Sequence, residues 1–197
     1  MYKELIKRPL DIIVSTLLLV VLSPLLFLIA IVIYVESGKP IIFRQTRIGK
    51  DKKSFRIYKF RTMVVDSKPF VRADGTYISR TDDKRVTRIG RYLRIGFDEL
   101  PQLINIIKGE MSLVGPRPDL PIALDMLTET QHVKYNVRPG LTNLPAISGR
   151  NSLTFQERVN LDIIYINSIS FLKDLTILFK TLLVISGIKT NFNERQN

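Results

Sequence analysis

Asp98 and Glu99 stand side by side in Phe97-Asp98-Glu99-Leu100-Pro101-Gln102, and two adjacent acids can act as a nucleophile, a proton carrier or hard oxygen donors to a metal. The same pair equally suits the start of a helix, where an aspartate caps free amides and a glutamate favours the dipole. Their company favours chemistry on phosphate. Phosphoryl transfer calls for a nucleophile and for cations that absorb charge on the transferred group. The polar segments supply Lys59, Arg61, Arg94, Arg117, Arg138 and Arg150. Arginine suits the task because its planar fork bonds two phosphate oxygens and stays charged. Arg117 and Arg138 lie in Gly115-Pro116-Arg117-Pro118 and Arg138-Pro139-Gly140, which read as fixed loops.

The other residue types narrow the options. With no cysteine and the single histidine His132, the 197-residue chain offers neither a thiolate site nor a histidine cluster. Thirty basic against eighteen acidic residues leave +12, which points to anionic partners. Nucleic acid is disfavoured, because the basic residues are scattered among loops with no regular aromatic platform.

These residues need a scaffold, and the N-terminus says where it sits. Residues 12–35 carry no charge and are long enough to cross a hydrocarbon core about 30 Å thick. Lysines and arginines flank both ends, so the positive-inside rule asks both to face the cytoplasm. Pro24 would remove one backbone donor, and Ser23 could bond the carbonyl it frees. We expect either a re-entrant hairpin broken at Ser23-Pro24 or a kinked spanning helix. Residues 1–38 then form the membrane segment and 39–197 the catalytic domain.

That domain reads as mixed α/β and helix-rich. Strands are expected at 40–43 and 54–58 around a Gly49-Lys50-Asp51 turn, a mobile loop at 66–85, and helices at 87–95 and from Asp98 to Gly109. Two amphipathic helices follow at 155–167 and 171–185. The second mixes apolar Phe171, Leu172, Leu175, Phe179 and Leu182 with Lys173 and Lys180. It could lie in a membrane interface or pack on a core, and the region near 155–187 is assigned to interfacial helices.

Four ordered motifs add a resemblance. Tyr58-Lys59-Phe60-Arg61-Thr62-Met63, Asp98-Glu99-Leu100-Pro101-Gln102-Leu103, Ser112-Leu113-Val114-Gly115-Pro116-Arg117-Pro118 and Arg138-Pro139-Gly140-Leu141-Thr142 resemble the bacterial sugar transferases, the small monotopic phosphoglycosyl transferases. The resemblance covers nearly the whole chain. It implies that Asp98 attacks the sugar-bearing phosphate of a UDP-sugar, expelling UMP and leaving a phosphosugar-aspartyl enzyme. Polyprenyl (undecaprenyl) phosphate then takes the phosphosugar.

The resemblance also implies Mg2+ at Asp98 and Glu99, with Glu99 either binding the metal or handling protons. It implies phosphate contacts from Arg94, Arg117 and Arg150, and substrate roles for Lys59, Arg61 and Arg138. The location it implies is the cytoplasmic face of the bacterial inner membrane. Asp162 also matches, as an arginine partner or a ligand. Where the family commonly has Gly-Trp-Ala-Gln before Asn-Gly-Arg, this chain reads Thr142-Asn143-Leu144-Pro145-Ala146-Ile147-Ser148-Gly149-Arg150, so the sugar does not carry over. Two alternatives stand beside this reading: a basic membrane-tethered adaptor that binds anionic lipid, and an enzyme in which Asp98 only binds metal while the lipid phosphate attacks directly.

Overall fold

The fold is that of a computed structural model, which describes residues 2–67, 83–149 and 152–187. After a π-helical turn at Tyr2–Ile6, helix α1 runs from Lys7 to Ser37. It continues through Pro24, and Ser23 Oγ donates to Val20 O at 2.7 Å. Val20 O is the acceptor that a residue with an amide at position 24 would have used, so the hydroxyl replaces the missing donor. Ile13, Leu17, Val20, Val21, Phe27, Leu28 and Val35 are exposed along α1.

Strands β1 (Ile42–Ile48) and β2 (Ser54–Phe60) form an antiparallel ribbon, with Ile42 opposite Phe60 and Ile48 opposite Ser54. Both outlast their expected lengths. The turn lies where expected, with Asp51 and Lys52 in left-handed conformation at φ 56° and 58°. Alternation along β2 sends Phe55 and Ile57 into the main core, and Lys59 shares their parity. Phe60 faces the other way, packing with Ile29 and Ile33 of α1 and with Leu93.

Helix α2 (Arg88–Leu93) is capped by Thr87, whose Oγ1 accepts from Gly90 N at 3.0 Å. Helix α3 (Gln102–Lys108) is pinned to β2 by the buried Asn105. Its Nδ2 donates to Arg56 O at 2.8 Å, and its Oδ1 accepts from Tyr58 N at 3.1 Å. Strands β3 (Ser112–Val114) and β4 (Gly140–Thr142) pair in parallel. Neither strand was expected; they flank the two arginine turns, which lie at the proline- and glycine-rich segments read as loops.

Both turns need their glycines. A Cβ at Gly115 would lie 2.4 Å from Arg138 O, and one at Gly140 would lie 2.1 Å from Gly115 N. No side chain fits between backbones that close. Between these strands lie α4 (Ala123–Met126) and a 3-10 stretch, Glu129–Asn136. Helices α5 (Leu144–Ser148), α6 (Phe155–Ile166) and α7 (Phe171–Ile185) complete the described chain. The expected loop at 66–85 falls mostly outside the described residues.

The two amphipathic helices differ. Helix α6 buries Val159, Asp162, Tyr165 and Ile166 and leaves Ile164 as its exposed large aliphatic residue. Helix α7 exposes Phe171, Leu172, Leu175, Phe179 and Leu182.

Candidate active site

Both ends of α1 are tied to the domain that carries the acidic pair. At its N-terminal end, Asp174 of α7 accepts from Lys7 Nζ at 2.5 Å and from Tyr2 OH at 2.7 Å. The buried Asp11 accepts from Ser112 Oγ at 2.7 Å and from Leu113 N at 3.2 Å. At the far end, Glu36 accepts from Arg88 N at 2.7 Å and Ile89 N at 3.1 Å, occupying two free amides at the start of α2.

Arg61 belongs to this second tie. It is buried, and its Nη2 donates to Ser37 O at 2.7 Å, Ser37 Oγ at 2.6 Å and Gly38 O at 2.8 Å. The expected phosphate ligand is therefore placed as a cation on the C-terminal carbonyls of α1, where the helix dipole favours positive charge.

Asp98 and Glu99 do not open α3, contrary to expectation. They lie in a separate 3-10 turn, Phe97–Glu99, while α3 begins after Pro101. Pro101 has no amide to bond Phe97 O, so the ladder resets. Leu100 N bonds Phe97 O, and Ile104 N bonds Pro101 O. This frees the pair from a capping role and leaves both residues half-buried.

Lys59, set by strand parity, forms an ion pair with Glu99. Arg94 lies on the approach to the turn, with its Nε donating to Thr62 Oγ1 at 3.3 Å. Burial pushes the Asp98 carboxyl up to about 6; Lys59 opposes that shift, Glu99 adds to it, and Arg94 draws it down. Lys59, Arg94, Asp98 and Glu99 thus form one site.

The other predicted residues are elsewhere. Arg138 Nε donates to Gly109 O at 2.9 Å, at the opposite end of α3 from Asp98, where Arg8 also bonds Met111 O at 3.3 Å. Arg117 projects from the turn after β3 into a cleft that Arg47 and Arg158 also line. Asp162 pairs with Lys134, and its Oδ1 accepts from Arg117 N at 3.4 Å. Arg150 lies outside the described residues. Sequence reasoning missed Glu36, Thr62, Asp11, Asp174 and Lys134. Only the acids inside or beside apolar runs, Asp11 and Asp174, carried a readable sign of needing a partner.

The turn also faces an apolar surface. Tyr92, Ile95 and Phe97 are exposed around it, as are Ile104 and Ile107 on α3. A Cβ at Gly96 would lie 3.1 Å from Ile185 Cδ1, so the end of α7 abuts the same turn. Among the described residues no three His, Asp or Glu side chains converge. Two carboxylates are nevertheless a fitting donor set for Mg2+, which keeps waters and takes further oxygens from substrate phosphates.

Comparison with known proteins gives the family. The sequence pattern of the family described as bacterial sugar transferase matches residues 2–187. The chain is 39% identical over 189 residues to the sugar transferase EpsL of Bacillus subtilis, covering 94% of this chain and 91% of that protein. It is 36% identical to the undecaprenyl-phosphate galactose phosphotransferase of Salmonella typhimurium, over 91% of this chain. It is 39% identical to the UDP-glucose:undecaprenyl-phosphate glucose-1-phosphate transferase of Klebsiella pneumoniae, over 89% of this chain. The matched regions are 40% and 39% of those two longer proteins.

Proposed function

Because the chain belongs to the bacterial sugar transferase family, we propose that it moves a sugar phosphate from a UDP-sugar to undecaprenyl phosphate or a related polyprenyl phosphate. The observation that carries this is the half-buried Asp98 carboxyl held among Lys59, Arg94 and Glu99 beside an exposed apolar surface. A soluble donor and a lipid acceptor have to meet at such a place.

In this reading the Asp98 carboxylate attacks the sugar-bearing phosphorus. The bond to the UMP oxygen breaks, and UMP leaves with the electron pair. A phosphate oxygen of the acceptor lipid then attacks the same phosphorus, and the Asp98 carboxylate departs intact. Splitting one displacement into two is what an activated carboxylate contributes. Arg94 offsets charge on the donor phosphates, Arg117 is read as a further phosphate contact from its own cleft, and Lys59 holds Glu99 in place. Asp98 and Glu99 would hold Mg2+, which when bound neutralises phosphate oxygens.

Purified protein in lipid given UDP-sugar and Mg2+ should release UMP before acceptor is added and gain the mass of one phosphosugar at Asp98. Release only in the presence of acceptor, with no adduct, would favour direct attack by the lipid. An adaptor would show neither, and its binding would not depend on sugar.

The anchor is read as re-entrant, bending at Ser23-Pro24 and returning to the cytoplasmic side, with α7 lying in the interface. Support comes from the ties at both ends of α1. A crossing helix puts its ends on opposite sides of about 30 Å of hydrocarbon, where one small domain does not hold both. The chain has no cysteine, so single cysteines placed at Lys3 and Lys39 can be labelled from outside intact spheroplasts. Neither should react until the membrane is opened; labelling of one alone would mean a crossing.

A further inference from the structure

One ionic network takes no part in the site above. Lys134, in the 3-10 stretch, is 3% exposed, with its ammonium 2.7 Å from Asp119 Oδ2 and 3.0 Å from Asp162 Oδ2. Tyr135 OH donates to the same Asp119 oxygen at 3.0 Å. Burial alone would lower the Lys134 pKa, but Asp162 and Asp119 hold it above its ordinary value, so the lysine stays charged. Networks of this kind are weak sources of stability, since apolar side chains of similar volume often do as well. Its connections suggest another use.

Both carboxylates lead to the turn at residues 115–119. Asp119 ends it, and Asp162 Oδ1 accepts from Arg117 N at 3.4 Å. The remaining bonds come from other elements. Gly115 N donates to Thr142 O at 3.1 Å, and Pro116 O accepts from Gly140 N at 2.8 Å. Pro118 O accepts from Arg47 Nη1 at 3.1 Å, and Asp119 O accepts from Ile48 N at 2.9 Å. Every residue of the turn is thus fastened through its backbone or its carboxylate.

The Arg117 side chain is the exception. It is exposed, and it makes no hydrogen bond or ion pair among the described residues. The cleft it borders, about 110 Å³, has Lys134 and Asp162 in its lining together with Arg47, Arg158 and Phe155. With one lysine and three arginines against Asp119 and Asp162, the cleft stays net positive.

We propose that Lys134 is a positioning residue: locked between Asp119 and Asp162 beneath the turn, it holds Arg117 aimed at the mouth of a cationic cleft, ready for a donor phosphate. This rests on the reading of Arg117 as a phosphate contact. It adds that the contact is preorganised from below, so part of the affinity for the nucleotide-sugar is set by a residue that never touches it.

The test uses the full chain in lipid with a UDP-sugar that supports turnover. It compares wild type, Arg117→Ala, Lys134→Met, Lys134→Arg and the double variant Arg117→Ala/Lys134→Met, with thermal melts to report folding. Arg117→Ala should raise donor KM about 10-fold or more, the loss of a charge-assisted phosphate contact. Lys134→Met should raise KM by a similar factor with kcat within about 3-fold of wild type, the pattern of lost binding rather than lost chemistry. Lys134→Arg should recover most of the difference. The double variant should match Arg117→Ala alone, because the two act through one contact.

Folded Lys134→Met with a wild-type KM, or effects that multiply in the double variant, would overturn the positioning role. An unchanged KM in Arg117→Ala would instead remove the phosphate contact, and the proposal with it. If Lys134→Met does not fold, the near-isosteric Asp162→Asn takes its place with the same expected KM rise and the same non-additivity, and a wild-type KM in that variant overturns the role.

Discussion

Lys59 with Asp98 and Glu99, and Lys134 with Asp119 and Asp162, are two clusters of one lysine and two carboxylates in one small domain, and they differ in burial. In the second, the lysine and Asp162 side chains are 3% and 2% exposed. In the first, the lysine and Glu99 side chains are 21% and 30% exposed, and the turn that carries the acids stands outside the neighbouring helix. Residue type says only that carboxylates and a cation attract. Burial decides what the attraction does. Sealed from water, the charges must satisfy one another and thereby fix a loop; half-open, they leave a carboxyl that can still accept a substrate.

The sharpest way to break this contrast is to neutralise one acid in each cluster. Asp98→Asn should lower turnover by about 10³-fold or more while the melting temperature holds, as expected for loss of a nucleophile. Full activity in that variant would end the covalent reading. Asp162→Ala, which strips a buried cation of one partner, should cost about 3–5 kcal/mol in denaturant unfolding. A loss below about 1 kcal/mol, the range of exposed pairs, would mean the second cluster is not sealed.

Lys59→Met should fall on the other side of that line. Its pair with Glu99 is partly solvated, so stability should change by no more than about 1 kcal/mol while UMP release slows markedly. The smallest effect concerns pH. Burial pushes the Asp162 carboxyl up to about 6 against the pull of Lys134, whereas in the unfolded chain it titrates near 3.9. Between about pH 4 and 6 the folded chain therefore holds the proton more tightly, and this group's contribution to stability is lost as pH rises through that window. Asp162→Asn should show a flatter profile than wild type over that interval. Parallel profiles would count against the buried carboxyl as the cause.

Much of this contrast was legible before any coordinates. The apolar run of α1, the ribbon with its turn, and helices α2, α6 and α7 follow from period and punctuation; the pairing of Lys59 with the acidic turn does not, because the strand was expected to end at Tyr58. The arginines were read by type alone, and type does not say which of them a helix end engages. Arg61 serves the end of α1 and Arg138 the end of α3, because a guanidinium suits helix carbonyls as well as it suits phosphate. The same ambiguity hid Lys134, which in sequence is one cation among many in a +12 chain. Strands β3 and β4 were missed because three residues between prolines and glycines give no period. Their pairing is dictated by close backbone contact at Gly115 and Gly140, which only the folded chain displays.

The bonds of Asp174 to Tyr2 and Lys7 carry a consequence for how the protein is made. The partners lie 172 and 167 positions apart, so Tyr2 and Lys7 are made long before the helix that binds them. At about 5–20 residues per second that interval is on the order of ten seconds or more. Through it Tyr2 and Lys7 have only lipid headgroups and water in place of Asp174. A chain interrupted before α7 would keep the ties of Asp11 and Glu36 but lack those of Tyr2 and Lys7, so the first turn of the anchor is fastened only when α7 arrives.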